Sequence, residues 1–517
     1  MTARSSTLRN TLFSSIGIYT EYFLGMIAAI MIARHLGPTI YGIYGLFIWF
    51  AAIGIVATNS GITTGVIKFV AELRGAGRLD LIAPALTRFR AVQRWHLIVV
   101  LGVGSIVFVL FGGRLAADMS YVEFFLLAAA VGMRAPYMFN VAIAKGFEAF
   151  DATARISMLA SPLNLLMVIA AMLLHAPLLW FVVVYAISSL LFLLVSRQQV
   201  AGLIARLPRS ASLPEEIVQR MRRHLRIVSA TIIIGFLIAS DVEVLFLNLY
   251  ATSSAAGYFK VAYQLATGIM LLVPGVFGAL LLPMMAKALR EGRAVAAQRF
   301  VAATSYLVLL GAPVVAFGVC FAAPVIALLY GSAYAAAAPV FALVIFSSGI
   351  GTATQGASSL LVSADRQNVI LMLTIAFGVL KIALDLLLIR HFGLYGAVTA
   401  VVAVTLISST TYVVIGMRVS GARLQGGRLL RIVLAALIAS AAALPVFGLH
   451  LAPFWTAAIG GLTVTVVYVL MTLLLGCWSK NDIAQIQALH GRFVGGRPAV
   501  LGKLLAWAGA RDGGSWS

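Results

Sequence analysis

A chain of 517 residues that is 62% hydrophobic and only 10% charged, with a mean hydropathy of +1.04, is not an ordinary water-soluble domain, in which about a quarter of side chains are charged. The formal net charge of +21 does not indicate nucleic acid, because the basic residues are spread over alternate loops between apolar runs, as orientation in a membrane and contact with anionic lipid heads require. Two cysteines, and no His/Cys cluster at ligand spacing, exclude a disulfide scaffold and imply no metal site.

A bilayer core of roughly 30 Å needs about 20 apolar residues per helix. By that ruler fourteen spans are predicted, at 11–33, 42–66, 95–112, 120–142, 156–174, 178–196, 225–249, 257–283, 300–321, 339–362, 369–389, 392–417, 430–449 and 454–476. The first follows Arg4 and Arg9, but its apolar run exceeds the roughly 7–15 residues of a signal-peptide core and no small-residue cleavage site follows, so it reads as a retained helix. The breaks inside 156–196 and 369–417 rest on LLHAPLL and IRHFGLYG, where His, Pro and Gly interrupt the apolar run.

Counting lysine and arginine orients the chain. With both termini on the cytoplasmic side, 31 of the 37 basic residues fall in cytoplasmic segments; Arg34, Arg114 and Arg390 lie at the opposite surface, and Arg134, Lys260 and Lys381 lie within spans. Cys320 and Cys477 fall near opposite ends of their helices and are not expected to pair.

Repetition organises the chain. LGPTIYGIYGLFIWF (36–50) resembles LYATSSAAGYFKVAYQL (249–265), and shifting Gly42 by 215 positions lands on Gly257. The same shift carries Asp151 to Arg366, at the same point of the same kind of loop. Two six-helix halves follow, both entered from the same side and hence parallel repeats about an axis along the membrane normal. The expected organisation is an all-α membrane protein with a first lobe at 1–198, an inter-lobe loop at 199–224, a second lobe at 225–417, two added helices at 418–476 and a tail at 477–517. The two lobes are expected to surround a central cavity.

Within the long loop, LPEEIVQRMRRHLRI suggests a short interfacial helix. Pro214 suits a first turn, Glu215 and Glu216 favour its positive end, and Ile217, Met221 and Leu225 recur on one face with arginines opposite. SKNDIAQIQALHGRF suggests a second, with Ser479 and Asp482 as a capping pair and Ile483, Ile486 and Leu489 as a stripe; a surface tail is the alternative.

Ionisable groups inside spans cost about 2.5–3.5 kcal/mol each at a helix centre even on the insertion scale, so they normally face a bundle interior or water. The candidates for a substrate pathway or for coupling are Glu21, Arg134, Asp241, Glu243, Lys260, Lys381 and Asp385. On one continuous helix, Asp241 and Glu243 would sit about 200° apart, so only Asp241 is expected at the cavity, with Glu243 bonded to a neighbouring helix. Lys381 and Asp385 are four apart, as in an ion pair that neutralises itself. No catalytic residue, bound cofactor or metal is expected, and a coupling proton or sodium ion is open.

ARHLGPTIYGIYGL (33–46), SDVEVLFLNLYATSSAAGYFKVAYQLA (240–266) and KIALDLLLIRHFGLYGAVTAVV (381–402) resemble the repeated signatures of bacterial polysaccharide and O-antigen flippases, in the multidrug/oligosaccharidyl-lipid/polysaccharide exporter superfamily. The resemblance implies two six-helix lobes that open alternately to the two sides of the bacterial inner membrane, moving a polyprenyl-diphosphate-linked oligosaccharide outward. The substrate, membrane lipids, a polysaccharide polymerase and glycosyltransferases are the partners it implies; nucleic acid is not. O-antigen of lipopolysaccharide, capsule and exopolysaccharide all stay open as products. A cation-coupled multidrug or metabolite exporter is the alternative of the same architecture. A polytopic glycosyltransferase or polymerase fits less well, because only Asp118 and Glu123 are acids near the outer surface and the longest outer segment, around YGSAYAAAAP, is short.

Overall fold

The computed structural model describes residues 2–115, 118–208, 212–239, 241–273, 275–478 and 482–483, and among these no strand occurs. The helices follow the apolar runs. α1 (Thr2–Asn59) holds the first two predicted spans and breaks at Gly37, whose φ of 72° only glycine adopts freely, directly before Pro38. α2 (Ile62–Gly75) prolongs it beyond the left-handed Gly61. α3 (Ile82–Leu115), α4 (Tyr121–Gly146), α5 (Phe150–Leu173) and α6 (Leu178–Ala205) complete the first repeat. The chain stops between α5 and α6 at the His-Ala-Pro triplet 175–177, as the sequence indicated.

The second repeat is more broken. It runs through α7 (Glu215–Ala239), α8 (Val242–Tyr250), α9 (Ser253–Leu272), α10 (Gly275–Glu291), α11 (Arg293–Cys320), α12 (Ala322–Tyr330), α13 (Ala337–Thr352), α14 (Thr354–Ser363) and α15 (Gln367–Ser420). α15 holds two predicted spans and is interrupted at Gly393, φ 53°. α16 (Gly426–Ala443) and α17 (Pro453–Leu474) are the two additional helices.

Ten helical stretches among the described residues are long and apolar enough to cross a membrane, which makes this a multi-pass membrane protein. Two of the ten, Tyr19–Gly75 with 57 residues and Gln367–Ser420 with 54, are long enough for two crossings each and carry the Gly37 and Gly393 breaks. The expected count of fourteen further requires α7 with α8, and α9 with α10, to make one crossing each. α3 presents an apolar face away from the protein: Ile106 is 60% exposed and Val109 69%, side chains suited to hydrocarbon.

By internal packing the chain forms two compact units, residues 1–261 with 378–397, and residues 262–377 with 398–517. In the first, α1 lies along α5 and α4 along α6. A core of Ile62, Val66, Phe69, Phe89, Phe139 and Ile143 joins α2, α3 and α4. In the second, Leu281, Met285, Phe300, Leu307 and Leu360 join α10, α11 and α14. There α17 approaches α12 closely at Gly460, where a Cβ would come within 2.2 Å of the Phe321 ring, and Tyr468 donates to the Leu309 carbonyl at 2.7 Å.

Two expectations are corrected. The arginine-rich segment after Pro214 is not a separate interfacial helix, because α7 continues without interruption to Ala239. Its apolar stripe does not lie on lipid: Met221 is 1% exposed and, with Ile217 and Leu225, packs on the α2–α3–α4 core, while Arg220 binds Glu72 through both carboxylate oxygens at 2.6 and 2.9 Å. The seventh span is not one continuous helix either. It stops at Ala239 and resumes at Val242, with Asp241 between them in the left-handed region at φ 44°, ψ 24°. Of the second expected surface helix only Asp482 and Ile483 are described; Ser479, Ile486 and Leu489 lie outside the described residues. Asp482 accepts a hydrogen bond from the Tyr306 hydroxyl at 2.6 Å. Both cysteines are free thiols.

Candidate functional site

Five of the seven candidate residues meet in the first compact unit, where the related segments of the two repeats touch. The contact is possible because glycine stands on both sides. A Cβ on Gly42 would lie 1.8 Å from the Ser253 carbonyl oxygen, and one on Gly257 would lie 2.0 Å from that of Pro38. One turn along, a Cβ on Gly45 would lie 2.6 Å from Cδ of Lys260, so the lysine stem runs over bare backbone. Asn248 of α8 donates to the Val244 carbonyl one turn back at 2.7 Å and reaches the Gly42 carbonyl of α1 at 3.5 Å.

That stem delivers the Lys260 ammonium to Asp241 at 3.3 Å. Asp241 is the residue at the helix break, and a left-handed conformation costs a non-glycine residue roughly 1–2 kcal/mol. Its carboxylate does not cap α8. The chain turns here, so the 200° separation expected for a continuous helix does not apply. Asp241 stays partly accessible, its side chain 30% exposed, whereas Glu243 is 1% exposed.

Glu243 faces Lys381 of α15, with Oε1 at 2.6 Å from the ammonium. Lys381 also reaches Asp385 at 3.6 Å, one turn along its own helix. The expected self-neutralising pair is therefore part of a triad whose shorter contact is the interhelical one. The carboxyl oxygens of Glu243 and Asp385 are buried and make no contact of hydrogen-bond geometry among the described residues. Counting Asp241, Lys260, Glu243, Lys381 and Asp385, three carboxylates face two ammonium groups. Fully ionised, the group carries one surplus negative charge in a water-poor interior, where a partner is required. A proton or a monovalent cation would meet that charge.

Glu21 and Arg134 form a second polar group. Glu21 of α1 accepts from Ser157 Oγ at 2.9 Å and from the Tyr137 hydroxyl at 3.4 Å. The Arg134 guanidinium lies 4.5 Å from the centre of the Phe192 ring, 5.5 Å from Tyr137 and 5.9 Å from Tyr185, a cationic group held by aromatic faces. Tyr137 thus touches both charges without joining them directly.

Sequence reasoning missed the supporting residues. Gly45 was legible in principle, since it stands three positions after Gly42, one helical turn on, but nothing in the sequence says that a lysine from the other repeat crosses it. Ser157 and Tyr137 gave no signal, because a hydroxyl is common in spans. Glu123, an acid near the expected outer surface, is buried in a capping box: it accepts from the Ser120 backbone at 2.8 Å while Ser120 Oγ accepts from the Glu123 amide at 3.3 Å. That carboxylate secures the start of α4.

Comparison with known proteins agrees with this architecture. The family model described as "Polysaccharide biosynthesis protein" matches residues 95–339. No curated protein matches the sequence. Among solved structures, the lipid II flippase MurJ in its inward closed conformation is similar, with a TM-score of 0.70 at 12% identity, covering 90% of this chain and 98% of that one. A multidrug resistance MATE family transporter of the MOP superfamily, inward-facing, gives 0.65 at 17% identity, covering 80% and 98%. A MATE structure in the bent conformation gives 0.54 at 18% identity, covering 80% and 95%. The fold is thus shared with a lipid II flippase and multidrug transporters, and the polysaccharide biosynthesis match, which contains the second of the three segments (240–266) but neither of the others, agrees with the resemblance drawn from the sequence.

Proposed function

We propose that this protein moves a polyprenyl-diphosphate-linked oligosaccharide from the inner to the outer leaflet of the bacterial cytoplasmic membrane for surface polysaccharide synthesis, by alternating access, with both termini cytoplasmic. The polysaccharide biosynthesis match over residues 95–339 and the fold shared with a lipid II flippase support the substrate class. The observation that carries the reading is the Asp241–Lys260 pair beside the Glu243–Lys381–Asp385 triad, joined where the two repeats meet. A scaffold has no use for five ionisable groups in an apolar interior.

In this reading Lys260 attracts the diphosphate while the polyprenyl tail stays in the bilayer. Lys260 is already held at 3.3 Å by Asp241, so a diphosphate competes with that carboxylate. When the ammonium turns to the substrate, Asp241 loses its partner and takes up a proton or sodium ion, which couples substrate binding to ion binding. The test is a chromosomal deletion complemented with wild type, Asp241→Asn or Lys260→Ala at matched expression. Polymer export restored equally by all three would remove these residues from the mechanism.

The surplus carboxylate equally favours a cation-coupled exporter of drugs or metabolites. Growth of the deletion strain under toxic amphiphiles separates the two: a sensitive strain without accumulated lipid-linked sugar on the inner leaflet selects the exporter.

A further inference from the structure

Each repeat carries an arginine-lined cavity that the charge group described above does not use. In the first, α3, α4 and α6 border an open cavity of about 540 Å³, with Arg90 and the exposed Arg94 and Arg197 at its wall beside Gln93, Phe139 and Asn140. In the second, a cavity of about 540 Å³ is lined by Arg293 at the start of α11, Arg366 before α15 and Arg418 near the end of α15. Both therefore involve the third and sixth helices of their repeat, on the side that the basic loops mark as cytoplasmic. Among the described residues no carboxylate lines either cavity.

Basic residues are expected on that side of a membrane protein, so their number alone means nothing. Convergence is what sets these three apart. Arg74 binds Glu148, Arg78 binds Asp80, Arg155 binds Asp151 and Arg220 binds Glu72. Arg90, Arg94 and Arg197 instead converge on a shared space. Arg90 and Arg94 stand four apart on α3, an arrangement of like charges that weakens a helix unless an anion lies between them. The Arg90 guanidinium is held 5.3 Å from the centre of the Phe139 ring, which orders it in advance of binding. Asn140 donates to Ser196 at 3.0 Å and Gln93 to Asn59 at 2.6 Å, so the polar wall between the arginines is fixed as well.

We propose that the Arg90–Arg94–Arg197 cavity binds a phosphate-type anion, with the Arg293–Arg366–Arg418 cavity as its counterpart in the second repeat. Planar guanidinium groups bind phosphate oxygens in pairs, and three of them around a small space select a phosphate group over a neutral headgroup. The anion comes either from an anionic membrane lipid or from a soluble phosphate or diphosphate.

The test uses the full-length protein purified in detergent, as wild type, as R94Q/R197Q, and as R206Q/R223Q, which removes the same charge from exposed positions outside the cavity. Native mass spectrometry reads retention of phosphatidylglycerol against phosphatidylcholine, and thermal melting reads protection by inorganic pyrophosphate. Wild type and R206Q/R223Q should bind one of the two anions, and R94Q/R197Q should bind it about tenfold more weakly or less. Loss of lipid retention alone identifies a headgroup site, and loss of pyrophosphate protection alone a soluble-phosphate site. Binding of neither anion by wild type, or equal loss in R206Q/R223Q, overturns the proposal. Arg94→Gln alone is expected to weaken binding in the same direction, which keeps the proposal testable if the double variant does not fold.

Discussion

Gly42 and Gly257, which the 215-residue repeat places in register, pack directly on one another: a Cβ on Gly42 would stand 2.9 Å from the Gly257 amide nitrogen. The repeat is thus visible as a contact between its own two copies. Backbone meets backbone there, so a side chain at either position must push two helices apart. Gly42→Ala and Gly257→Ala are each expected to destabilise the protein by about 1–3 kcal/mol, as overpacking does. Gly102→Ala, in a helix with open space around it, should be neutral or stabilising by about 0.5–1 kcal/mol. Melting temperatures of the purified variants check both directions.

The triad makes a second, sharper contrast. Lys381→Met leaves Glu243 and Asp385 buried without a countercharge and is expected to cost about 3–5 kcal/mol. The triple variant Glu243→Gln, Lys381→Met, Asp385→Asn removes all three charges together and should recover most of that loss. Its transport should be lost despite that recovery if the surplus charge is what couples. Recovery of stability and transport together would make the triad purely structural.

Much of this arrangement could be read in the sequence, for identifiable reasons. The breaks at Gly37, 175–177 and Gly393 were legible because proline and glycine interrupt helices by their own backbone chemistry. The Lys381–Asp385 contact was legible because residues four apart share a helix face. The break at Asp241 was not, since an aspartate inside an apolar run reads as a costly passenger, and nothing local marks its left-handed turn. The Glu243–Lys381 contact was equally hidden: it depends on which helices pack, and a polar residue carries no label for its partner. The α7 stripe misled because an apolar face opposite arginines fits a lipid surface and a protein core alike, and only the packing of Met221 decides.

A pH effect is expected at His224, on α7 outside the apolar spans. Its ring lies against Phe69 and 3.4 Å from Thr64 Oγ1. Partial burial, first, and the nearby Lys68 ammonium, second, depress its pKa, with the Gly61 backbone opposing them. The folded protein therefore binds this proton less readily than the unfolded chain. Stability should fall as pH drops below about 6.5, the unfolded value, until the folded-state ring also protonates. His224→Gln should flatten that part of the profile in melting measurements between pH 5 and 8.

Arg134 and Glu21 should separate by function. Glu21→Gln keeps the Ser157 contact in a neutral form and is expected to change stability by under about 1.5 kcal/mol, the scale of one hydrogen bond. Arg134→Leu removes the cation from its aromatic surround and should weaken substrate-dependent transport more than melting. Equal loss in both readouts would mark Arg134 as a packing residue.

The most direct measurement follows a lipid-linked oligosaccharide across a reconstituted bilayer. Proteoliposomes containing polyprenyl-diphosphate oligosaccharide are scored for sugar accessible to a membrane-impermeant glycosidase, with wild type, Asp241→Asn and Lys260→Ala at equal folded amounts. The account expects wild type to expose the inner-leaflet pool and both variants to do so at least about tenfold more slowly. Equal rates in all three, or no exposure above protein-free vesicles by wild type, would contradict it.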